Sequence, residues 1–488
     1  RGRPDGRAPH LIIGQGARIG EGRPWPGRPA GVSWGRPGAG GGRFGVKSLR
    51  GIGKGLGVGL ATAVGATFLA LAACTGGGAP EGSAEKAAGP VPVTLWYHTG
   101  RPAERDTITR QVAAFNARQH DFRAALTLIP EGAYGAQVQA AALAGDLPDL
   151  LELDGPMLAS YAWAGRLRPL DGLLPDAATA DLIPSLEVQG TWQGRRYGAG
   201  TFDSGLGLFA DRAALAAAGI DLPADPAHAW DAARFRQVLG ALAAHDPDGQ
   251  VLDLKLNQRG EWLTYAFYPL LVSAGGDLID RRTLKAAGTL DGPASVRALT
   301  ELQGWIAGGR VDPDLDDAAF TSGRVALAWA GHWEYPRCKA ALGERLAVLP
   351  LPDLGTGSRT AQGSWQWAVT KDARAPEGAA RFLAFLLEPD QVLAMAQANG
   401  APPGTRAATA RSPLYGPGGP LRLFAEQLGT VSVPRPATPA YPAITAAFQR
   451  AVSDIAAGAD VREALSRAAA DIDRDVAASR YPVPGAPR

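Results

Sequence analysis

Between residues 91 and 153, short β-rich runs alternate with helical segments, and no other feature constrains the fold as much. Val91-Pro92-Val93-Thr94-Leu95-Trp96-Tyr97 reads as a strand that ends in the loop His98-Thr99-Gly100-Arg101-Pro102. Ile108, Val112 and Phe115 then recur at helical spacing, with Asp106 as the expected N-cap. Residues 126–129 form the next strand run, 134–143 a helix stopped near Gly145, and 149–153 a third strand. Parallel strands need long crossovers, so this order implies βαβ units and a sheet buried on both faces. Further strands are expected at 206–210, 325–329, 346–349 and 365–370, with helices at 212–218 and 376–387. Ile444, Phe448, Val452 and Ile455 share one helical face, and Val461, Leu465, Ile472 and Val476 another. No period of 20–50 residues recurs, which excludes a solenoid or propeller.

The 488 residues carry a net charge of +2, an average that hides an asymmetry. Residues 1–45 are rich in Arg, Gly and Pro without hydrophobic periodicity, and are expected to be an upstream extension outside the folded product. A basic patch (Lys47, Arg50, Lys54) follows, then an uncharged apolar stretch ending Leu71-Ala72-Ala73-Cys74. That order of basic, apolar and small residues is a secretory signal, expected over 46–73. A Cys after Leu-Ala-Ala resembles the lipobox of bacterial lipoproteins, which implies lipidation of Cys74. A transmembrane anchor is the competing reading, against which stand the many Gly and the marginal length. Residues 74–90 read as a flexible tether. Removing residues 1–73 leaves 38 basic and 45 acidic residues, a balance that does not suit a nucleic-acid binder. The expected protein is exported, lipid-anchored at the membrane (periplasm or outer cell surface) and monomeric.

Enzyme signatures are missing. Ser204 sits in Asp203-Ser204-Gly205 without the flanking pattern of a nucleophile elbow. There is no H-E-x-x-H and no phosphate-binding G-x-x-x-x-G-K-[ST], and the His are scattered. No metal, cofactor or catalytic residue is expected.

Several segments, taken in order, resemble the family 1 extracellular solute-binding proteins of ABC importers, the group that includes maltose-binding protein. They are Val93-Thr94-Leu95-Trp96, Ala144-Gly145-Asp146-Leu147-Pro148-Asp149-Leu150 and Gly194-Arg195-Arg196-Tyr197-Gly198-Ala199. Next come Leu208-Phe209-Ala210-Asp211-Arg212 and Ala319-Phe320-Thr321-Ser322-Gly323-Arg324-Val325-Ala326-Leu327. Gly331-His332-Trp333, Val348-Leu349-Pro350-Leu351-Pro352, Gly363-Ser364-Trp365, Arg435-Pro436-Ala437-Thr438-Pro439-Ala440-Tyr441-Pro442 and Val461-Arg462-Glu463-Ala464-Leu465 complete the set. The resemblance implies an α/β fold of periplasmic-binding-protein type II, with two α/β lobes joined by a multi-strand hinge and a ligand cleft between them. Lobe 1 is expected at 91–202 and 356–408, and lobe 2 at 203–355 and 409–488. Crossings are expected near 201–207 and 349–355. A small carbohydrate is the implied ligand, and the permease subunits of an importer are the implied partners.

A sugar presents hydroxyls at its rim and C–H groups on its faces, so its site needs flat aromatics together with carboxylates or Arg. Such groups are sought on loops after strands, at the edge where open α/β sheets bind ligands. The candidates are Tyr97, His98 and Arg101 after the first strand, Asp154 after the third, and Asp203 at the first crossing. Glu261, Trp262 and Tyr265 lie in the second lobe, with Trp333 and Glu334 beyond a later strand. Trp365 begins the return strand, and Arg435 and Tyr441 occupy the late loop. Trp96 and Trp329 are read as core, and Cys338 as a packed thiol; of Trp365 and Trp367, one must face a helix layer. Two alternatives remain: glycerol phosphate or another small polar solute held through Arg101 and Arg435, or a glycan-acting surface lipoprotein enzyme using Asp154 and Glu334.

Overall fold

The alternation at the start of the ordered chain folds as its pattern demands. The computed structural model describes residues 89–482 apart from Arg259. The expected extension 1–45, the signal segment 46–73, Cys74 and most of the tether lie outside the described residues. Strand β1 (Val91–His98) leads into α1 (Pro102–Arg118), β2 (Phe122–Ile129), α2 (Glu131–Ala144) and β3 (Leu150–Asp154). β1 pairs in parallel with β2 along its whole length and with β3 at Leu95 and Trp96. α1 begins four residues before the expected cap Asp106, because Pro102 presets the first helical φ and the Glu104 carboxylate accepts the Arg101 N–H at 3.3 Å. α2 stops at Gly145, whose φ of 75° is the left-handed turn expected there.

A second sheet follows, built from β4 (Leu206–Asp211), β5 (Leu252–Asp253), β6 (Val311–Asp312), β7 (Leu327–Gly331) and β8 (Leu346–Leu349). Their spatial order is β8-β4-β7-β5-β6. Helix α3 (Trp262–Ser273) lies between β5 and β6 in the chain. β7 starts two residues later than the expected strand at 325–329. The N–H groups of Arg324 and Val325 both turn back to the Ala319 carbonyl, so the ladder opens only at Leu327. Next come β9 (Thr360–Gln362), β10 (Trp365–Val369), α4 (Pro376–Leu386), β11 (Ser432–Pro434), α5 (Tyr441–Ala456) and α6 (Val461–Ser479). β10 runs antiparallel to β3 and completes the first sheet in the order β10-β3-β1-β2. No helix among the described residues is long and apolar enough to cross a membrane.

The apolar cores divide the chain in the same way. Val93, Leu95, Phe115, Leu150, Trp367, Phe382 and Leu383 pack around the first sheet. Leu206, Leu208, Phe267, Leu327, Trp329, Phe448 and Leu465 pack around the second. Each fully buried side chain of this size contributes about 1.5–3 kcal/mol to the core that holds it.

Three strands of chain pass between the lobes. The first passage is short: the Asp203 N–H still reaches the Pro402 carbonyl in lobe 1, and Leu206 already belongs to lobe 2. The second lies later than the expected 349–355. Leu351 is in the lobe 2 core, and Leu354 and Ser358 are hydrogen-bonded within that lobe, so the chain leaves only at β9. The return passage also lies beyond the expected 408. Residues 406–411 form a helix tied to lobe 1 through Asp181, and Tyr415 opens the packing on lobe 2. β9 and β11 pair in parallel, and the Thr360 hydroxyl clasps both the N–H and the carbonyl of Leu206 at 2.8 Å. The passages are thereby laced into one multi-strand hinge.

Candidate functional site

The carboxyl ends of β1 and β3 and the beginning of antiparallel β10 share one edge of the first sheet. This is the edge at which open α/β sheets present ligand-binding groups. It carries His98, Asp154 and Trp365. From lobe 2 the segment before α3 brings Glu261, the turn after β7 brings Trp333 and Glu334, and the chain after β11 brings Arg435.

Arg435 joins the two sides. Arg435 is only 4% exposed, and its guanidinium donates to Asp154 of lobe 1 at 3.0 and 3.3 Å and to Glu261 of lobe 2 at 2.5 Å. Burial opposes its charge, but Asp154 and the groups around Glu261 outweigh that and hold the guanidinium charged. Burial pushes the Glu261 carboxyl upward while Arg435 pulls it back. Tyr441 and Thr445 also donate to Glu261. The guanidinium lies over the Tyr265 ring at 5.1 Å. Gly363 makes room for it: a Cβ there would stand 2.3 Å from Arg435 Nη2, and its φ of 141° disfavours any side chain.

A second link spans the lobes at the rim. Arg101 donates to Glu334 at 3.2 Å, and Glu334 is also held by Arg337. Beside it, Trp333 is half-buried against the edge of Trp262 and the tilted ring of Tyr265, both at 6.1 Å. Gly331 permits this, since a Cβ would overlap the Trp333 ring. Opposite, Trp365 is half-buried, while Trp367 is 1% exposed and packs against Tyr97 and Phe382.

The expected residues thus sort by depth. Arg101, Asp154, Glu261, Trp333 and Trp365 keep exposed surface. Glu334, Arg435, Trp262, Tyr265 and Tyr441 are buried just behind them. Tyr97 and His98 lie a layer deeper than expected, because β1 extends through both. The Tyr97 hydroxyl is bound to Glu104 at 2.9 Å, and His98 Nδ1 is 2.7 Å from Glu152. Asp203 is fully buried, and its carboxylate accepts from Gln189, the Ser204 N–H and the Gly363 N–H. It ties the first two passages together and has no face on the cleft. Cys338 is buried, and burial pushes its thiol up to about 12.

Glu152, Gln189, Ser204, Arg337 and Thr445 support the site but were not among the expected residues. A trace of two was available in the sequence. Glu152 is a charge inside the apolar run 150–153, and Thr445 shares a helical face with Tyr441 four residues earlier.

Half-exposed indoles and carboxylates between two lobes suit a neutral, polyhydroxylated guest. A surface groove of about 570 Å³ between α3, α5 and α6 contains none of the expected residues, its lining including Leu263, Ala447, Arg450 and Arg467. Its arginines are paired with Asp471 and Asp454, so it presents helix-surface ion pairs without an aromatic platform. Among the described residues, no group of three or more His, Cys, Asp or Glu is placed to hold a metal ion.

Residues 110–415 match the family described as bacterial extracellular solute-binding protein. An uncharacterized lipoprotein in the oleD 5′ region of Streptomyces antibioticus is 28% identical over 221 residues, a match that spans 44% of each chain, under half of that relative's length. The GacH receptor of Streptomyces glaucescens, solved unliganded and with acarbose and an acarbose homolog, is 20% identical with a TM-score of 0.68, over 79% of this chain and 98% of that one. The cyclic alpha-maltosyl-1,6-maltose binding protein of Arthrobacter globiformis is 26% identical with a TM-score of 0.67, over 79% and 99%. The fold is therefore the type II periplasmic-binding-protein fold of sugar-binding subunits of ABC importers. On this match the chain belongs to the family of bacterial extracellular solute-binding proteins.

Proposed function

We propose that this chain captures a mono- or oligosaccharide, of the maltose type found with its structural relatives, and delivers it to the permease subunits of an ABC importer. The observation that carries the reading is the pairing of two half-exposed indoles, Trp333 and Trp365, with the carboxylates Asp154 and Glu261 around Arg435. Indole faces take sugar C–H groups, and carboxylates take hydroxyl protons. A guest touching both lobes favours the closed form by its differential affinity for that form. Capture and release break no bond, so the chain is a binder and not an enzyme. Cys74 carries the lipid that holds a monomeric, exported domain at the membrane. Glycerol phosphate is the poorer guest, because Arg101 and Arg435 are both engaged by carboxylates.

A thermal-shift panel of mono-, di- and oligosaccharides, with glycerol phosphate as control, tests the reading. A sugar at a hundred times its Kd stabilises the protein by about 2.7 kcal/mol and should be recovered unchanged. A panel in which no sugar shifts the transition, or recovery of a cleaved sugar, overturns it.

A further inference from the structure

Trp365 rests on a buried polar layer that the binding reading above leaves without a role. The His98 ring lies under the indole, with centroids 4.1 Å apart and planes within 10°. Tyr134 meets the indole edge-on at 5.4 Å. Glu152, fully buried, holds His98 Nδ1 at 2.7 Å through Oε2, while its Oε1 has no hydrogen-bond partner among the described residues. Its backbone is pinned by the Tyr134 hydroxyl, which donates to the Glu152 carbonyl at 2.9 Å. An unpaired oxygen on a buried carboxyl costs free energy, which the bond from its other oxygen to His98 offsets only in part.

We propose that Glu152 is a positioning residue for the Trp365 platform: it fixes His98 flat beneath the indole, and the proton on His98 sets how well the opposite indole face accepts a sugar's C–H groups. This rests on the carbohydrate reading of the same cleft. An imidazolium stacked on one face draws on the π electrons of the indole and leaves less for C–H contacts on the other. Sugar affinity therefore falls as His98 becomes protonated. The titratable groups that face His98 are Tyr97 on its own strand, Glu104 on α1, Glu131 and Tyr134 on α2, and Glu152 on β3. Burial works to lower the His98 pKa, but Glu152 first, then Glu104 and Glu131, outweigh it and raise it. Burial likewise pushes Glu152 up to about 7 against the pull of His98.

The experiment has two arms on the exported protein. In the first, tryptophan fluorescence of the unliganded protein is titrated between about pH 5 and pH 9. Imidazolium quenches a stacked indole, so emission should rise with pH in the wild type. The rise should vanish in W365F and H98F. In E152Q, which keeps a hydrogen-bonding side chain but not the charge, its midpoint should move to lower pH by about one unit. A wild type without the transition, or a transition unmoved in E152Q, overturns the positioning role. In the second arm, maltose and maltotriose affinities are measured across the same range. The wild type should bind at least about threefold more weakly at the acid end, and H98F should show no such dependence. A wild-type affinity that does not change with pH overturns the coupling to binding. If neither sugar binds at any pH, it is the carbohydrate reading that fails, and the fluorescence arm still decides the role of Glu152.

Discussion

The two walls of the cleft are built on different principles. On lobe 1 the wall is the edge of a sheet. Its groups stand at strand ends, and beneath Trp365 lie His98, Glu152 and Glu104, charges sunk in a rigid scaffold. On lobe 2 the wall is made of loops and helix starts, and its rings (Trp262, Tyr265 and Trp333) pack on one another with the charge supplied by Arg435 from the hinge. The strand-end wall is pre-set by its backbone ladder, whereas the loop wall depends on side chains that hold each other. Substitutions should therefore act locally on the first wall and spread on the second.

The largest effect is expected at Arg435, which both walls share. Arg435→Ala leaves two carboxylates facing each other without their cation. It should cost about 3–5 kcal/mol in denaturant unfolding and remove sugar binding. A loss confined to binding would show that the ion pairs do not brace the hinge.

Next comes the lobe 1 scaffold. Asp149 accepts the N–H and hydroxyl of Thr94 and the N–H groups of Arg374 and Ala375. Burial would raise its pKa, but those bonds, from Thr94 first, hold the carboxyl below its ordinary 3.8. A folded pKa below the unfolded one gives stability that is complete above the unfolded value and is lost as pH falls through the folded one. Asp149→Asn should cost about 1.5–3 kcal/mol at neutral pH and shrink the loss seen on acidification. An unchanged acid limb would remove Asp149 from that account.

The aromatic platforms come third. Trp333→Ala and Trp365→Ala should each weaken sugar binding about three- to tenfold. The contrast lies in stability: Trp333→Ala should loosen Trp262 and Tyr265 as well, and Trp365→Ala should leave the lobe 1 fold intact. Equal melting temperatures for the two variants would erase the proposed difference between the walls. The smallest effect is expected for Arg101→Ala. Its side chain is 43% exposed, so loss of the Glu334 link should cost under about 1 kcal/mol and fade with added salt.

Much of this architecture was legible in the residues. The βαβ run at 91–153, the stop of α2 at Gly145 and the core faces of α5 and α6 all follow from local periodicity and local turn chemistry. The expected cap at Asp106 falls inside α1, because an N-cap judged from residue type alone overlooks Pro102 at the first helical position and the Arg101 N–H that Glu104 accepts, which close the turn earlier. Asp203 stood at the right passage, yet its carboxylate serves three backbone and side-chain donors across the hinge. His98 stood beside the right strand end, yet Glu152 claimed it.

Taken alone, the sequence determined the alternation of strand and helix over 91–153 and the apolar faces of α5 and α6, since those choices depend on neighbours a few positions away. Only the tertiary structure decided which polar groups are spent on one another and which stay open to a guest. Arg435 lies 281 residues from Asp154 and 174 from Glu261, and a pairing at that separation leaves no periodic trace. It is set by where the lobes bring their strand ends and loops, and by the cost of leaving a buried charge without its partner.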